Sequence, residues 1–381
     1  MKRSPESSPR PSERVPLATI ARQWGRIGCI GFGGPPTHIA LLRRLVVGDR
    51  AWLTSSEFED GIAAVNLLPG PASTQLAIYA AWLLRGIPGA LVGALCFIVP
   101  GLVLILVLSA VVLAAHPPAA VTGLAAGAGA AVPAVALYAA AGLVPASWER
   151  AGAGRAGRYR WGLYAGAGVA AGATIGPWLV LVLLGCGLVE VAFRTRPPGH
   201  PIVLAAGPVA GLGGVAWVAF KVGALSYGGG FVIIPLMQHD AVHRYHWMTG
   251  AQFLAAVALG QITPGPVVQT VAVVGYAAGG VGSALLASLC AFAPSFLFVV
   301  AGGPRFGRLR ADPRVQAFLT GAGPAAIGAI AGSAGPLARA LGPGWQFAVL
   351  AGAAVWLLVL RRGIVSGLAG AAVVGLIVTL S

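Results

Sequence analysis

Apolar residues run along the chain in long blocks, at about 16–34, 60–85, 87–115, 118–143, 161–193, 201–232, 251–280, 282–301, 315–340 and 344–380. Polar or basic connectors separate them at 43–60, 146–160, 194–200, 238–250, 304–314 and 361–362. A helix needs about 20 apolar residues to cross a bilayer, so the pattern predicts roughly ten to thirteen hydrophobic segments. Some blocks are long enough for two short helices, and Gly176-Pro177 supplies a hairpin turn inside 161–193. The expected fold is an all-α polytopic membrane protein. Gly (57) and Pro (28) lie inside the blocks, where a membrane bundle tolerates them if neighbouring segments satisfy the freed backbone groups.

Composition narrows this further. The 381 residues are 57% hydrophobic and 9% charged, against about 25% charged in an ordinary soluble domain. So few charges do not cover a soluble surface, and so apolar a chain does not stay disordered. The net charge of +15 reads as basic cytoplasmic loops. No basic stripe with interleaved aromatics points to nucleic acid. Residues 1–15, rich in Pro, Ser and Arg, read as a disordered cytosolic tail. Cys29, Cys96, Cys186 and Cys290 sit singly in apolar runs, which implies neither disulfides nor a metal site.

The most informative pattern is an internal repeat at a fixed offset. Arg26 to Gly34 (RIGCIGFGG) matches Lys221 to Gly229 (KVGALSYGG). Trp52 to Phe58 (WLTSSEF) matches Trp247 to Phe253 (WMTGAQF), and Asn66 to Pro71 (NLLPGP) matches Gln261 to Pro266 (QITPGP). Each pair differs by 195 positions, and without gaps Phe97 matches Phe292. The repeats cover 16–193 and 211–381, with 194–210 as linker. Internal repeats mark secondary transporters. Loop charge favours an inverted repeat: the connector at His116 has no Lys or Arg, while its counterpart at 304–314 has four Arg. The next connectors reverse this, with Arg150, Arg155, Arg158 and Arg160 against Arg339. The basic N-terminal tail and the Arg194–Arg196 linker run against inversion, and the longer contrasts outweigh them.

The duplicated motifs carry the candidate chemistry. Pro69-Gly70-Pro71 and Pro264-Gly265-Pro266 break helices, because Pro lacks an amide hydrogen and clashes with the preceding turn. Two breaks at membrane depth would aim half-helix N-termini at a common anion-friendly centre, each worth about half a positive charge. The structural alternative is a kink without ligand contact. Gly33 and Gly34, with Gly228, Gly229 and Gly230, either expose amides to an anion or let helices cross closely. Arg26 and Lys221 share one repeat position, and a cation inside an apolar helix is a functional candidate unless it snorkels to the interface. Asn66, Ser73, Thr74 and Gln75, matched in the neighbourhood of the second break by Gln261, Thr263, Gln269 and Thr270, offer hydroxyls and amides to replace a hydration shell. Glu57 and Asp60 share a helical face and are proton-coupling candidates, with an interfacial surface role as the alternative. The histidines show no metal-ligand spacing.

Together these residues resemble the chromate ion transporter family, in its long-chain, two-domain form. The likeness rests on Gly31–Pro35, on Trp52–Phe58 and Asn66–Pro71, and on their second copies at 221–230, 247–253 and 261–266. It implies chromate efflux from the cytoplasm, two homologous halves of opposite orientation, and coupling to the proton gradient. Two departures stand out: Pro36 takes a place where a small residue is common, and Gln252 replaces an acidic residue, which leaves a proton role there unsupported.

The expectation is thus a secondary active transporter exporting chromate across the bacterial inner membrane and conferring chromate resistance. Its anion site would be formed by Arg26, Gly33, Gly34, Asn66, Pro69, Gly70, Pro71, Gln75, Lys221, Gly228, Gly229, Gly230, Gln261, Pro264, Gly265 and Pro266. Partners are the oxyanion and the lipid bilayer, with no cofactor and a homodimer left open. Sulfate, of equal charge and shape, and a passive anion channel are the alternatives. No paired carboxylates, nucleophile elbow or metal cluster suggests an enzyme.

Overall fold

The computed structural model describes residues 15–66, 68, 70–152, 154–174, 179–194, 211–226, 231, 233–302, 312–342 and 344–381. The expected N-terminal tail, the Gly176-Pro177 turn and nearly all of the linker fall outside these residues. Among the described residues there is no strand. The first half comprises α1 (Leu17–Ile30), α2 (Pro35–Arg43), α3 (Ser55–Val65), α4 (Ala72–Val112), α5 (Ala119–Ala130), α6 (Val132–Ala151), α7 (Arg155–Thr174) and α8 (Leu179–Arg194). The second comprises α9 (Leu212–Leu225), α10 (Ile233–Gln238), α11 (Gly250–Ile262), α12 (Thr270–Gly302), α13 (Pro313–Arg339), α14 (Gly344–Ala354) and α15 (Ile364–Leu380).

Among the described residues, four stretches, Ala72–Val112, Ala119–Ala151, Val267–Gly302 and Pro313–Arg339, are long and apolar enough to cross a bilayer. On α4, Leu91, Leu95, Val99, Val103 and Val107 recur every four residues and are all exposed. In water such a stripe would be an aggregation surface; in a bilayer it faces lipid. The chain is a multi-pass membrane protein.

The duplication is written into the backbone. Both halves carry a wide helical turn of π type, at Arg44–Asp49 and His239–Arg244. Each is followed by a residue with positive φ, Ala51 at 49° and His246 at 51°. Both copies then start a helix with a capping box. The Glu57 carboxylate accepts from the Thr54 amide at 2.8 Å while Thr54 Oγ1 accepts from the Glu57 amide at 3.2 Å. Gln252 and Thr249 repeat this at 2.8 and 3.2 Å. Later, α4 bends at Arg85 and Gly86 (φ 60°), and α12 at Gly279 and Gly280 (φ 69°). The helix beyond the α4 bend, residues 87–112, rises about 39 Å, enough for a full span.

These bends correct the ungapped register. Gly70 and Gly265 differ by 195, but Gly86 and Gly280 differ by 194. A Cβ on Gly28 would meet the Phe97 carbonyl, and one on Gly223 the Ala291 carbonyl, so Phe97 corresponds to Ala291 and not to Phe292. The second half saves one residue after its break. There Val267–Gln269 forms a 3₁₀ turn where α4 is already α-helical, and a 3₁₀ turn advances farther per residue.

The halves exchange partners. In the first, α1 packs on α4; in the second, α9 packs on α12; and α4 and α12 pack on each other. Beyond this centre, α13 of the second half lies along α7 and α8 of the first, while α5 of the first lies along α15 and touches α14 of the second. Small residues make these crossings close. A Cβ on Gly168 or Gly172 would strike the α13 backbone, and one on Gly127 the backbone of α15, the close approach that membrane helices use in place of a hydrophobic drive.

Candidate functional site

The two helix breaks meet at the centre, each pinned to the other half. The Gly70 amide donates to the Ser226 carbonyl at 2.6 Å, and the Gly265 amide donates to the Gly31 carbonyl at 3.1 Å. These bonds are repeat-related, because Gly70 corresponds to Gly265 and Gly31 to Ser226. Each joins a Pro-Gly-Pro break to the end of the first helix of the other repeat, just after α9 or α1. Gly70 has φ 126° and Gly265 φ 101°, a region closed to side chains with a Cβ. Pro on both sides removes the competing amides, so the glycine N–H is the one donor of each break.

Buried polar side chains gather around these bonds. Gln75 and Ser295 stand where a Cβ on Gly70 would be, and a Cβ on Gly265 would come within 3.2 Å of Gln269. Gln269 Nε2 donates to the Ile98 carbonyl at 2.7 Å. Thr74 Oγ1, Ser226 Oγ, Ser295 Oγ, Gln261 Nε2 and Gln269 Oε1 are buried without a hydrogen-bond partner. A buried unsatisfied polar group costs about 1–3 kcal/mol, and native structures hold few of them. Three hydroxyls and an amide NH₂ thus lie near the two breaks as hydrogen-bond donors.

The family model described as chromate transporter matches residues 18–207 and 214–376. The chain belongs to the chromate transporter family. The two matched regions are consistent with two repeated halves. The chain is similar to the chromate transport protein of Cupriavidus metallidurans, 31% identical over 379 residues, which cover 95% of this chain and 93% of that protein. It is also similar to the chromate transport protein of Pseudomonas aeruginosa, 28% identical over 371 residues, 88% of this chain and 86% of that protein. No solved structure matches the chain.

The residues singled out in the sequence take different places in the fold. Gly70, Pro71, Gln75, Gln261, Pro264, Gly265 and Pro266 lie buried at or beside the breaks. Gly33 (φ 96°) and Gly34 (φ 75°) form the turn into α2, and Gly34 reaches towards Val267 of the other half. Pro69, Gly228, Gly229 and Gly230 lie outside the described residues. In this structure the amides of Gly70 and Gly265 are engaged by the Ser226 and Gly31 carbonyls rather than open to an anion. The first-turn N–H groups of α4 have no partner within their own helix.

The paired cations are not equivalent. Lys221 is 9% exposed and forms an ion pair with Asp240, itself 1% exposed. Arg244 and His239 lie 3.8 and 3.9 Å from the other carboxylate oxygen of Asp240. Arg26 is exposed, and the position matching Asp240 in its half is Leu45. Lys221 therefore meets a built-in counter-charge, and among the described residues Arg26 has none. The carboxylates on α3 also change meaning. Glu57 is exposed and closes a capping box that neutral Gln252 closes equally well, so helix capping accounts for it. Asp60 is exposed on the same helix, and Asn66 is the exposed C-cap of α3.

One buried group escaped the sequence reading. His38 on α2 is fully buried; its Nε2–H donates to the Gly31 carbonyl at 2.8 Å, and Nδ1 lies 3.3 Å from Ser73 Oγ. The Gly31 carbonyl therefore accepts from both His38 and Gly265. With α2 too short to span a bilayer, burial of His38 pushes its imidazole below the ordinary histidine value, opposed by the bond to Gly31. The neutral ring leaves Nδ1 as acceptor for the Ser73 hydroxyl. Nothing in the spacing of His38 marks it out, because it has no histidine counterpart in the second half.

Proposed function

We propose that this protein is a secondary active transporter that exports chromate across the bacterial inner membrane, coupled to protons and conferring chromate resistance. The observation that carries the reading is the reciprocal pair of bonds, Gly70 to Ser226 and Gly265 to Gly31, with buried hydroxyl and amide donors around it. A tetrahedral dianion needs donors in place of its hydration shell. Thr74, Ser226, Ser295 and Gln261 supply neutral ones, and half-helix ends add about half a positive charge each. A mostly neutral site binds reversibly, as a carrier must. The names of the relatives favour chromate among oxyanions of this shape.

The halves 16–193 and 211–381 act as the two repeats, with opposite orientation supported by their loop charges. Alternating access then takes place around the shared centre. For proton coupling, the sequence offers Glu57 and Asp60; the capping role of Glu57 favours Asp60 and the buried Asp240–Lys221 pair as the groups to test.

The experiment is accumulation of radiolabelled chromate in everted membrane vesicles, with respiration on or off and excess sulfate as competitor. Energised accumulation that sulfate barely inhibits is expected. Equal competition by sulfate would make the protein a general oxyanion carrier. Downhill flux unaffected by energisation would make it a channel, and no flux above empty-vector vesicles would discard the oxyanion reading.

A further inference from the structure

The two breaks share a backbone but differ in access. At the first, an open cavity of about 300 Å³ reaches Gly70 and is lined by Asn66, Ser147, Arg150, Gly323 and Ile327. Asn66 is exposed, and Leu68 half-buried. Their counterparts at the second break, Gln261 and Thr263, are 5% and 4% exposed. The helices leading to the breaks explain the contrast. Along α11, Leu254 is buried against α5, where a Cβ on Gly129 would lie 3.1 Å from it. The matching position on α3 is Glu59, which is exposed and bonded to Arg43 at 2.9 Å. So α11 is closed down on its neighbour, while the end of α3 faces α13 across an open space. At roughly 30 Å³ per water, that space holds about ten waters, or an oxyanion with part of its hydration shell.

Arg150 gives this space its sign. The basic connector of the first half reads from sequence as topology alone, yet its arginines do different things. Arg160 is bonded to Glu190 at 2.9 Å, and Arg158 stacks on Trp148 at 5.4 Å. Arg155 starts α7 and is not among the lining residues. Among the described residues that line the cavity, Arg150 is the charged one. The Arg150 Nε–H donates to the Ala146 carbonyl at 3.2 Å, which holds the side chain along α6 beside Ser147.

We propose that this cavity is the entry vestibule for the oxyanion and that Arg150 is the cation that draws the anion to the Gly70 break. The inference rests on the transport reading for the identity of its ligand. It differs from it in naming a route and a residue that neither the repeat nor the family motif contains. It also sets the state of the molecule: open at the first break, closed at the second.

The test uses the full-length protein with Cys29, Cys96, Cys186 and Cys290 replaced, in membranes, with single cysteines at Asn66→Cys or Gln261→Cys. Labelling rates are measured with an anionic sulfonate-bearing and a cationic ammonium-bearing methanethiosulfonate reagent. Asn66→Cys should react at least about tenfold faster than Gln261→Cys, and faster with the anionic reagent. Arg150→Gln should lower the anionic-to-cationic rate ratio about tenfold, the size of a unit charge acting across a wet cavity. Arg150→Lys should keep the ratio, and Arg155→Gln should leave it unchanged. In vesicles, Arg150→Gln should raise the KM for the oxyanion about tenfold with little change in maximal rate. Equal labelling at the two cysteines, or a ratio indifferent to Arg150, overturns the vestibule even if wild-type vesicles transport chromate. Wild-type vesicles that move no oxyanion overturn the transport reading, while the labelling ratio still decides the vestibule.

Discussion

The Lys221–Asp240 pair offers the sharpest energetic test, because its two halves should fail unequally. Both side chains are buried, and Asp240 is the carboxylate that faces Lys221, Arg244 and His239. Asp240→Leu places there the residue found at the matching position, Leu45. It leaves the Lys221 ammonium buried, with Arg244 and protonatable His239 as like-charged neighbours. Removing one partner of a buried pair costs about 3–5 kcal/mol, and this change belongs at the upper end. Lys221→Met leaves Asp240 with Arg244 within 4 Å, and that residual pairing puts its cost at about 3 kcal/mol or less. The double variant Lys221→Met/Asp240→Leu removes both charges. It should lie well above the sum of the singles, near wild type, since well-packed apolar replacements of buried pairs are often neutral. The assay is reversible unfolding in detergent micelles, read as a double-mutant cycle. A coupling of 3 kcal/mol corresponds to a factor of more than about 100 in the folded-to-unfolded ratio. Additive singles, or an Asp240→Leu variant no less stable than Lys221→Met, would refute the account of this pair as a desolvated charge and its counter-charge.

Three further outcomes follow from the site. Gly70→Ala and Gly265→Ala should each abolish transport, because φ of 126° and 101° excludes a Cβ and the space is filled by Gln75 and Ser295 at Gly70 and approached by Gln269 at Gly265; Gly142→Ala, at an unobstructed position, should be silent in the same vesicle assay. For His38, the folded state disfavours the protonated ring, so the unfolded chain binds more protons and stability rises with pH. Stability is full above the ordinary value of 6.5 and falls as the pH drops from there through the lower folded value; melting temperatures of wild type and His38→Gln between pH 5 and 8 should diverge in slope, and parallel curves would refute the assignment. Glu57→Gln should retain transport and its pH dependence, because Gln252 already closes the same cap, whereas Glu57→Ala should lose about 1 kcal/mol of helix stability.

What could be read without the fold was whatever the backbone records locally. Pro-Gly-Pro breaks a helix wherever it stands, Thr with Glu or Gln three residues on caps one, and a duplicated run shows itself by comparison with its copy. The breaks in the apolar blocks near 86 and 281 likewise fall at the bends of α4 and α12, where glycine permits positive φ. The helical membrane class and the central place of the two breaks were therefore legible, as were Gly70, Gln75, Gln261 and Gly265. Tertiary packing decided the rest. The loss of one residue after the second break is absorbed by a 3₁₀ turn that an ungapped comparison does not register. Lys221 and Arg26 look alike in sequence because repeat position conserves charge type, but Asp240 lies 19 residues from Lys221 and only packing brings it there. His38 earns its place by meeting the carbonyl that also holds Gly265, and Arg150 by lining a space that closes at the other break. Two copies with matching motifs give a symmetric expectation; the two breaks nevertheless lie in unequal environments, and that inequality resides in contacts between the halves.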